Sequence, residues 1–300
     1  MLIEICGSRG SLPSPGADKL RYGGNTSCVH VTLSDGTHLI LDAGTGIRNL
    51  PAEIGTTGGH VHILLTHLHL DHIQGLLFFS PLFESECQVT IWGPAAPGVS
   101  LKSRITRYLS APLTPVDVRE LPCQLDFRNC PVAEWEIGPA RMRAEAVTHR
   151  GPTLGFRIED QGESLCYLPD HEPALIGPLE DLAPQWISGY SLARGADLLI
   201  HDGQYTDGEY PDHFGWGHSA ISHTIHFADR CQPRRTLFFH HDPYHADDQL
   251  DAMYEDALRG WQQLGGAADA IAMASEGDVL STGAPVGAAH ALATHRNGAS

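Results

Sequence analysis

The chain has 300 residues, 42% of them hydrophobic and 18% charged, which suits a globular protein with a sizeable buried core and leaves room for one large domain or two ordinary ones. Nineteen Lys and Arg against 36 Asp and Glu give a formal net charge of -17, which argues against a nucleic-acid partner and is easier to reconcile with a small anionic substrate than with a long polyanion. Seven scattered Cys without a Cys-x-x-Cys pair, no basic leader before an apolar run and no stretch of about 20 apolar residues predict reduced thiols in a cytoplasmic protein without a membrane span.

In chain order, Leu2 to Cys6 reads as a short strand, and Gly7 to Gly24 as a Gly/Pro/Ser-rich loop carrying Arg9 and Arg21. Cys28 to Leu33 and Thr37 to Leu41 alternate around Ser34-Asp35-Gly36, a hairpin signal. Val61 to Leu65 is a strand, Ile73 to Phe79 a helix start, Gln88 to Trp92 a strand, and Ser100 to Leu109 has helical spacing. Ala111 to Pro139 is rich in Pro and polar residues and is expected to be irregular; Leu113, Val116, Val118, Leu121 and Phe127 within it suit a lid, a subunit contact or a loop docking its own side chains. Arg141 to Thr148, Thr153 to Glu159 and Ser164 to Leu168 read as strands, Asp197 to His201 and Thr236 to His240 as apolar runs ending at His, and Ala220 to Arg230 and Asp248 to Leu264 as helices. Strands followed by helices, twice over, predict two sheets packed face to face with helices outside, in one domain over residues 1–282, while 283–300 is an Ala/Gly/His-rich tail expected to be disordered.

The chemistry concentrates in Thr66-His67-Leu68-His69-Leu70-Asp71-His72, between a buried strand and a helix start. His67 and His69, two apart in an extended turn, can converge on one cation, and Asp71 and His72 can face a second beside it. Imidazole and carboxylate donors suit Zn, Mn or Fe.

This His-x-His-x-Asp-His run resembles the metallo-β-lactamase superfamily, whose fold is an αββα sandwich of two mixed β-sheets flanked by helices. Further motifs follow in family order: Asp42 in Leu41-Asp42-Ala43-Gly44, His149 in Val147-Thr148-His149, Asp170 in Tyr167-Leu168-Pro169-Asp170, and Phe239-His240-His241-Asp242. The resemblance implies that His67, His69 and His149 hold one divalent metal ion. Asp71, His72 and His241 would hold a second, and Asp170 would bridge the two, with Asp42 organising the ligand loop. In the last motif the spacing of strand, one residue, then His, as in Thr66-His67, favours His241 over His240. Two such ions, with zinc first and manganese or iron as alternatives, lower the pKa of water towards ~7 and make a nucleophile at neutral pH.

Gly7-Ser8-Arg9-Gly10-Ser11, Arg21-Tyr22-Gly23-Gly24-Asn25-Thr26, His201-Asp202-Gly203-Gln204 and Trp216-Gly217-His218-Ser219 resemble the phosphodiesterase branch that includes ribonuclease Z. By that resemblance His218 donates to a phosphate oxygen or the leaving group, and Asp202 stands where Glu is usual. Arg9, Ser11 and Arg21 are candidates for phosphate contact, and Tyr244, His245 and Asp247 for the pocket wall. The implied activity is hydrolysis of small phosphodiesters, 3',5'-cyclic nucleotides foremost, by a homodimer. The alternatives are tRNA 3'-end endonuclease, hydrolysis of a lactone or thioester, and a non-enzymatic sensor on the same fold. Between His149 and Asp170 there is room for little beyond a hairpin, so the basic arm of tRNA-cleaving relatives is absent from that place.

Overall fold

Alternation in Leu2–Gly7 (β1) sends Ile3 and Ile5 to one side, where they meet every second residue of Cys28–Thr32 (β2) and His38–Leu41 (β3): Val29, Val31, Leu39 and Leu41. The computed structural model describes residues 1–51, 54, 59–131 and 133–282. After β3 come His60–Leu64 (β4), the short helix Leu70–Ile73 (α1), Gln88–Gly93 (β5), Leu101–Tyr108 (α2), Gln124–Asn129 (β6) and Trp135–Ile137 (β7). The second half runs through Ala140–Ala146 (β8), Leu154–Asp160 (β9), Glu163–Leu168 (β10), Tyr190–Ala193 (α3), Leu198–Asp202 (β11), Tyr210–His213 (α4), Ile221–Cys231 (α5), Thr236–Phe239 (β12), Asp247–Gln263 (α6), Ile271–Met273 (β13) and Val279–Ser281 (β14).

Two seven-stranded sheets result, ordered β14-β1-β2-β3-β4-β5-β6 and β13-β12-β11-β10-β9-β8-β7. Each combines antiparallel pairs with a parallel run, β3 to β6 in the first and β10 to β13 in the second. Their inner faces share one core, in which Ile3, Val31, Leu64 and Trp92 pack with Met142, Phe156, Leu165, Tyr167 and Phe239. Outside the first sheet, Ile63, Val89 and Ile91 meet Leu76, Phe79, Leu101 and Ile105. Outside the second, α5 and α6 bring Ile225, Leu250 and Trp261 onto Phe238 and Ile271. This is the αββα sandwich expected from the sequence.

The largest departure concerns 111–139, which was expected to be irregular and instead supplies β6, β7 and a 3-10 turn at Val118–Glu120. β6 is an edge strand with exposed Asp126 and Arg128 on one face, a polar disguise that keeps such edges from pairing with other chains. Val118 is buried and Leu121 and Phe127 pack on the outer core of the first sheet, while Leu113 is 70% exposed, so of the three readings this segment suits, docking of its own side chains holds for Val118, Leu121 and Phe127. The helix expected from Ile73 starts earlier, at Leu70, and gives way to a 3-10 turn at Leu76–Phe78. The expected tail, 283–300, lies outside the described residues. Among the described residues no helix is long and apolar enough to cross a membrane.

Candidate metal centre

Parallel register fixes where the site forms. Leu41 pairs with Leu64 and Leu64 with Trp92 in the first sheet, while Leu168 pairs with His201 and Asp202 with Phe239 in the second. The residues just past β3, β4, β10 and β12 therefore gather at one end of the sandwich, the place where open sheets present binding groups.

Asp42 anchors this end. It is fully buried at φ 58, accepts from Thr66 N at 2.8 Å and from Tyr167 OH at 3.1 Å, and lies 2.8 Å from His72 Nδ1. A carboxylate can only accept, so His72 carries its proton on Nδ1 and turns Nε2 inward. Similarly, His149 Nδ1 lies 2.8 Å from the Gly217 carbonyl, leaving Nε2 to face His69 Nδ1 at 3.2 Å. Gly217 sits at φ 93, and a Cβ there would fall 2.4 Å from His149 Nδ1, so only glycine lets the two segments touch.

Three donor groups result among the described residues, each with its atoms within 4.8 Å of one another: two larger ones, His67, His69, His149 and Asp170, and Asp71, His72, Asp170 and His240, and a smaller one of Asp202, His218 and His240. Asp170 belongs to both larger ones. Its Oδ2 lies 3.6 Å from His67 Nε2 and from His149 Nε2, and its Oδ1 lies 3.0 Å from His72 Nε2 and 3.3 Å from His240 Nε2. Asp71 Oδ2 lies 3.3 Å from both His72 Nε2 and His240 Nε2 and accepts from Ser11 N at 2.8 Å.

His241, favoured by motif spacing as the last ligand, points away. Its Nε2 lies 2.8 Å from the Ala274 carbonyl, and burial lowers its pKa to about 3. The cause is the left-handed conformation of His240, φ 60, which ends β12 at Phe239 and swings His240 into the donor group. No glycine or proline in Phe239-His240-His241 signals that turn. Gly10 makes room for it, since a Cβ there would fall 2.3 Å from His240 Nδ1.

Electrostatics mark the centre as built for cations. Burial opposes charge on His240, yet Asp170 and Asp71 outweigh it and raise its pKa to about 9; His72 is likewise driven well above the ordinary value by Asp170, Asp71 and Asp42. Burial instead holds His149 down at about 4, against the pull of Asp170. Buried His67 Nε2, His72 Nε2 and Asp170 Oδ1 make no hydrogen bond among the described residues. Unpaired buried polar atoms are costly, and donors of this kind converging from both sheets fit a pair of divalent cations.

His218 stands beside both larger groups. Its Nδ1 lies 2.6 Å from Asp202 Oδ2, its Nε2 4.0 Å from Asp170 Oδ2, and its ring stacks on His240 at 5.0 Å. Asp202, fully buried, also accepts from His171 N, Gln204 N and Ser219 N at 3.2, 3.0 and 3.1 Å. The shorter carboxylate therefore reaches His218 in place of a glutamate. Arg9 and Arg21 do not reach the centre. Arg9 is buried and donates to the carbonyls of Gly23, Asp242 and His245, while Arg21 pairs with Asp248 and Asp251. His245 faces Glu209, and Asp247 accepts from Arg21 N.

Behind Asp202 lies a neutral histidine pair. His201 Nδ1 lies 2.8 Å from the Asp202 carbonyl and therefore donates, leaving His201 Nε2 to accept from His171 Nδ1 at 2.9 Å. Burial holds His201 at about 4, against Asp202, and His171 well below its ordinary value. The unfolded chain protonates these two groups first, so the stability this pair contributes is complete above pH ~6.5 and is lost as the pH drops towards 4. At pH 5 the loss from His201 is about 2 kcal/mol. A urea midpoint that falls as much between pH 7 and pH 5 in His201→Gln as in the wild type contradicts this.

Donors, topology and spacing are those of the metal-dependent hydrolases. A family model described as a beta-lactamase superfamily domain matches residues 37–241, more than half of the chain. The chain belongs to that superfamily. Ribonuclease Z of Haloarcula marismortui is 29% identical over 166 residues, covering 53% of this chain and 48% of that protein. Ribonuclease Z of Mycobacterium avium is 27% identical over 223 residues, 66% of this chain and 69% of that protein. The chain spans about half the length of the first of these relatives. Among solved structures, the metallo-beta-lactamase fold protein YhfI of Bacillus subtilis superposes with a TM-score of 0.68 at 16% identity over 93% of this chain and 98% of that one. The short form of human tRNase Z superposes with 0.66 at 21%, over 95% and 100%, and a diphosphatase of the PhnP family with 0.64 at 19%, over 93% and 97%. At these identities the structures share the fold.

Proposed function

We propose that residues 1–282 form one hydrolase domain acting on small phosphodiesters, with 3',5'-cyclic nucleotides the foremost substrate class and a homodimer the working form. The observation that carries this is His218, backed by Asp202 at 2.6 Å and set 4.0 Å from the carboxylate shared by both larger donor groups. His67, His69, His149 and Asp170 would hold one cation, and Asp71, His72, His240 and Asp170 the other, with zinc proposed ahead of manganese or iron. Two such cations supply activated water and neutralise charge on a phosphoryl oxygen. The chain's own residues do the rest. Asp42 and Gly217 fix the imidazole tautomers, Asp202 stabilises an imidazolium at His218, and His218 Nε2 gives its proton to the ribose oxygen that leaves as water attacks phosphorus.

The relatives named ribonuclease Z favour a second reading, cleavage of tRNA 3' ends. Two features weigh against it: a net charge of -17, and a segment between His149 and Asp170 filled by the β9–β10 hairpin.

Beside the first donor group, Arg150, next to His149, lies 5.4 Å from the ring of Trp216, which is 48% exposed and next to Gly217. A base stacked there is worth ~1–3 kcal/mol. Trp216→Ala is expected to raise KM for cyclic nucleotides ~10-fold with kcat nearly unchanged; an unchanged KM places the base elsewhere.

The deciding experiment is turnover of a panel by metal-loaded protein: cAMP, cGMP, cUMP, cCMP, bis-p-nitrophenyl phosphate, a 3'-extended pre-tRNA, a lactone and a thioester. Cleavage of cyclic nucleotides with pre-tRNA untouched supports the first reading. Cleavage of pre-tRNA alone establishes the second, and silence on every phosphodiester overturns both.

A further inference from the structure

We propose that Gln204 is a positioning residue that sets the tautomer of His240, with Asp242 fixing the orientation of its amide. This rests on the cation-binding part of the reading above. Gln204 is 3% exposed, follows β11, and bridges two loops. Its Nε2 donates to Asp242 Oδ2 at 3.1 Å, and its Oε1 lies 3.2 Å from His240 Nδ1. Asp242 in turn is held in place, its Oδ1 accepting from Tyr244 N at 2.8 Å.

The logic is one of donors and acceptors. A carboxylate cannot donate, so the amide NH2 must face Asp242. The amide oxygen then faces His240, which can only satisfy it with a proton on Nδ1. The Nε2 lone pair is thereby left for the centre, where Asp71 Oδ2 and Asp170 Oδ1 each lie 3.3 Å away. Asp42 does the same for His72. The imidazoles of the second group thus have acceptors of different charge: a carboxylate behind His72 and a neutral amide behind His240.

The test is retention of cations by full-length protein loaded with zinc or manganese and dialysed against graded chelator, counted by elemental analysis. Gln204→Met, similar in volume but without an acceptor for Nδ1, is expected to release one of two cations at ~10- to 100-fold lower chelator. Gln204→Glu, whose protonated carboxyl can donate to Asp242 while its other oxygen accepts from Nδ1, is expected to retain both close to wild type. Imidazole nitrogen NMR of the wild type should place the His240 proton on Nδ1. The proposal is overturned if the Met variant holds both cations as tightly as wild type, if the Glu variant fails to rescue, or if His240 is protonated on Nε2 in the loaded protein. Should the Met variant not fold, Asp242→Asn frees the amide to turn and is expected to mix the two tautomers; a single Nδ1-protonated form there also overturns it. A wild type that holds fewer than two cations overturns the metal reading itself, a separate outcome.

Discussion

Asp170→Asn is expected to lower turnover ~1000-fold or more and to release both cations at chelator concentrations the wild type withstands. Cations at such sites contribute several kcal/mol of charge stabilisation, and each ~1.4 kcal/mol is tenfold in rate. Asp170 is the one side chain common to both larger donor groups, with Oδ2 towards His67 and His149 and Oδ1 towards His72 and His240. The amide keeps the shape but removes the charge, and it turns a donor towards imidazole nitrogens that need to present lone pairs. Burial opposes ionisation of Asp170, but His240, His72 and His67 hold its pKa well below the ordinary carboxylate range. Elemental analysis and kcat on the best substrate of the panel check this together. A variant that keeps two cations and full turnover refutes the shared role. Asp71→Ala is the narrower counterpart, expected to abolish turnover while weakening only the group shared with His72 and His240.

His218→Ala is expected to lower kcat ~100- to 10,000-fold while leaving two cations per chain, the range found for loss of a positioned general acid. Its Nδ1 is committed to Asp202 at 2.6 Å, which leaves Nε2 free to face substrate. Asp202→Asn should fall in the same direction, because an amide cannot stabilise the imidazolium and can present its NH2 to Nδ1, forcing the wrong tautomer. The useful contrast is leaving-group dependence. Loss of an acid hurts a ribose-oxygen leaving group far more than p-nitrophenolate, which departs unprotonated. Equal losses on cAMP and on bis-p-nitrophenyl phosphate would instead mean that His218 acts in binding. Cation loss in His218→Ala would make it a ligand, as its proximity to Asp202 and His240 permits.

Much of this was legible in the chain before folding. The run from His67 to His72 shows in local spacing, His149, Asp170, Asp202 and His218 followed from the family resemblance, and the sandwich brings all of them to one end of its sheets. What escaped depends on contacts distant in sequence. His240, and not His241, faces the donor cluster because of a single left-handed residue, made tolerable by Gly10, some 230 positions earlier. β6 escaped because an edge strand wears charge on its open face. Arg9, a candidate phosphate contact from its place in a Gly-rich loop, instead spends its guanidinium on three main-chain carbonyls from both ends of the chain. Such uses leave no periodic trace, since they pair one side chain with backbone far away.

The donor groups also straddle the two halves of the sandwich. The first takes His67 and His69 from after β4 but His149 and Asp170 from after β8 and β10; the second takes Asp71 and His72 from α1 but His240 from after β12. Each bound cation would therefore act as a rivet between the sheets, and chelation would loosen the seam as well as empty the pocket. Because an ion that binds only the assembled halves stabilises the fold in proportion to the logarithm of its free concentration, the melting temperature should climb with added metal. Hydrogen exchange should then quieten first along the loops at this end, while the opposite rim, where β14 closes on β1, stays indifferent.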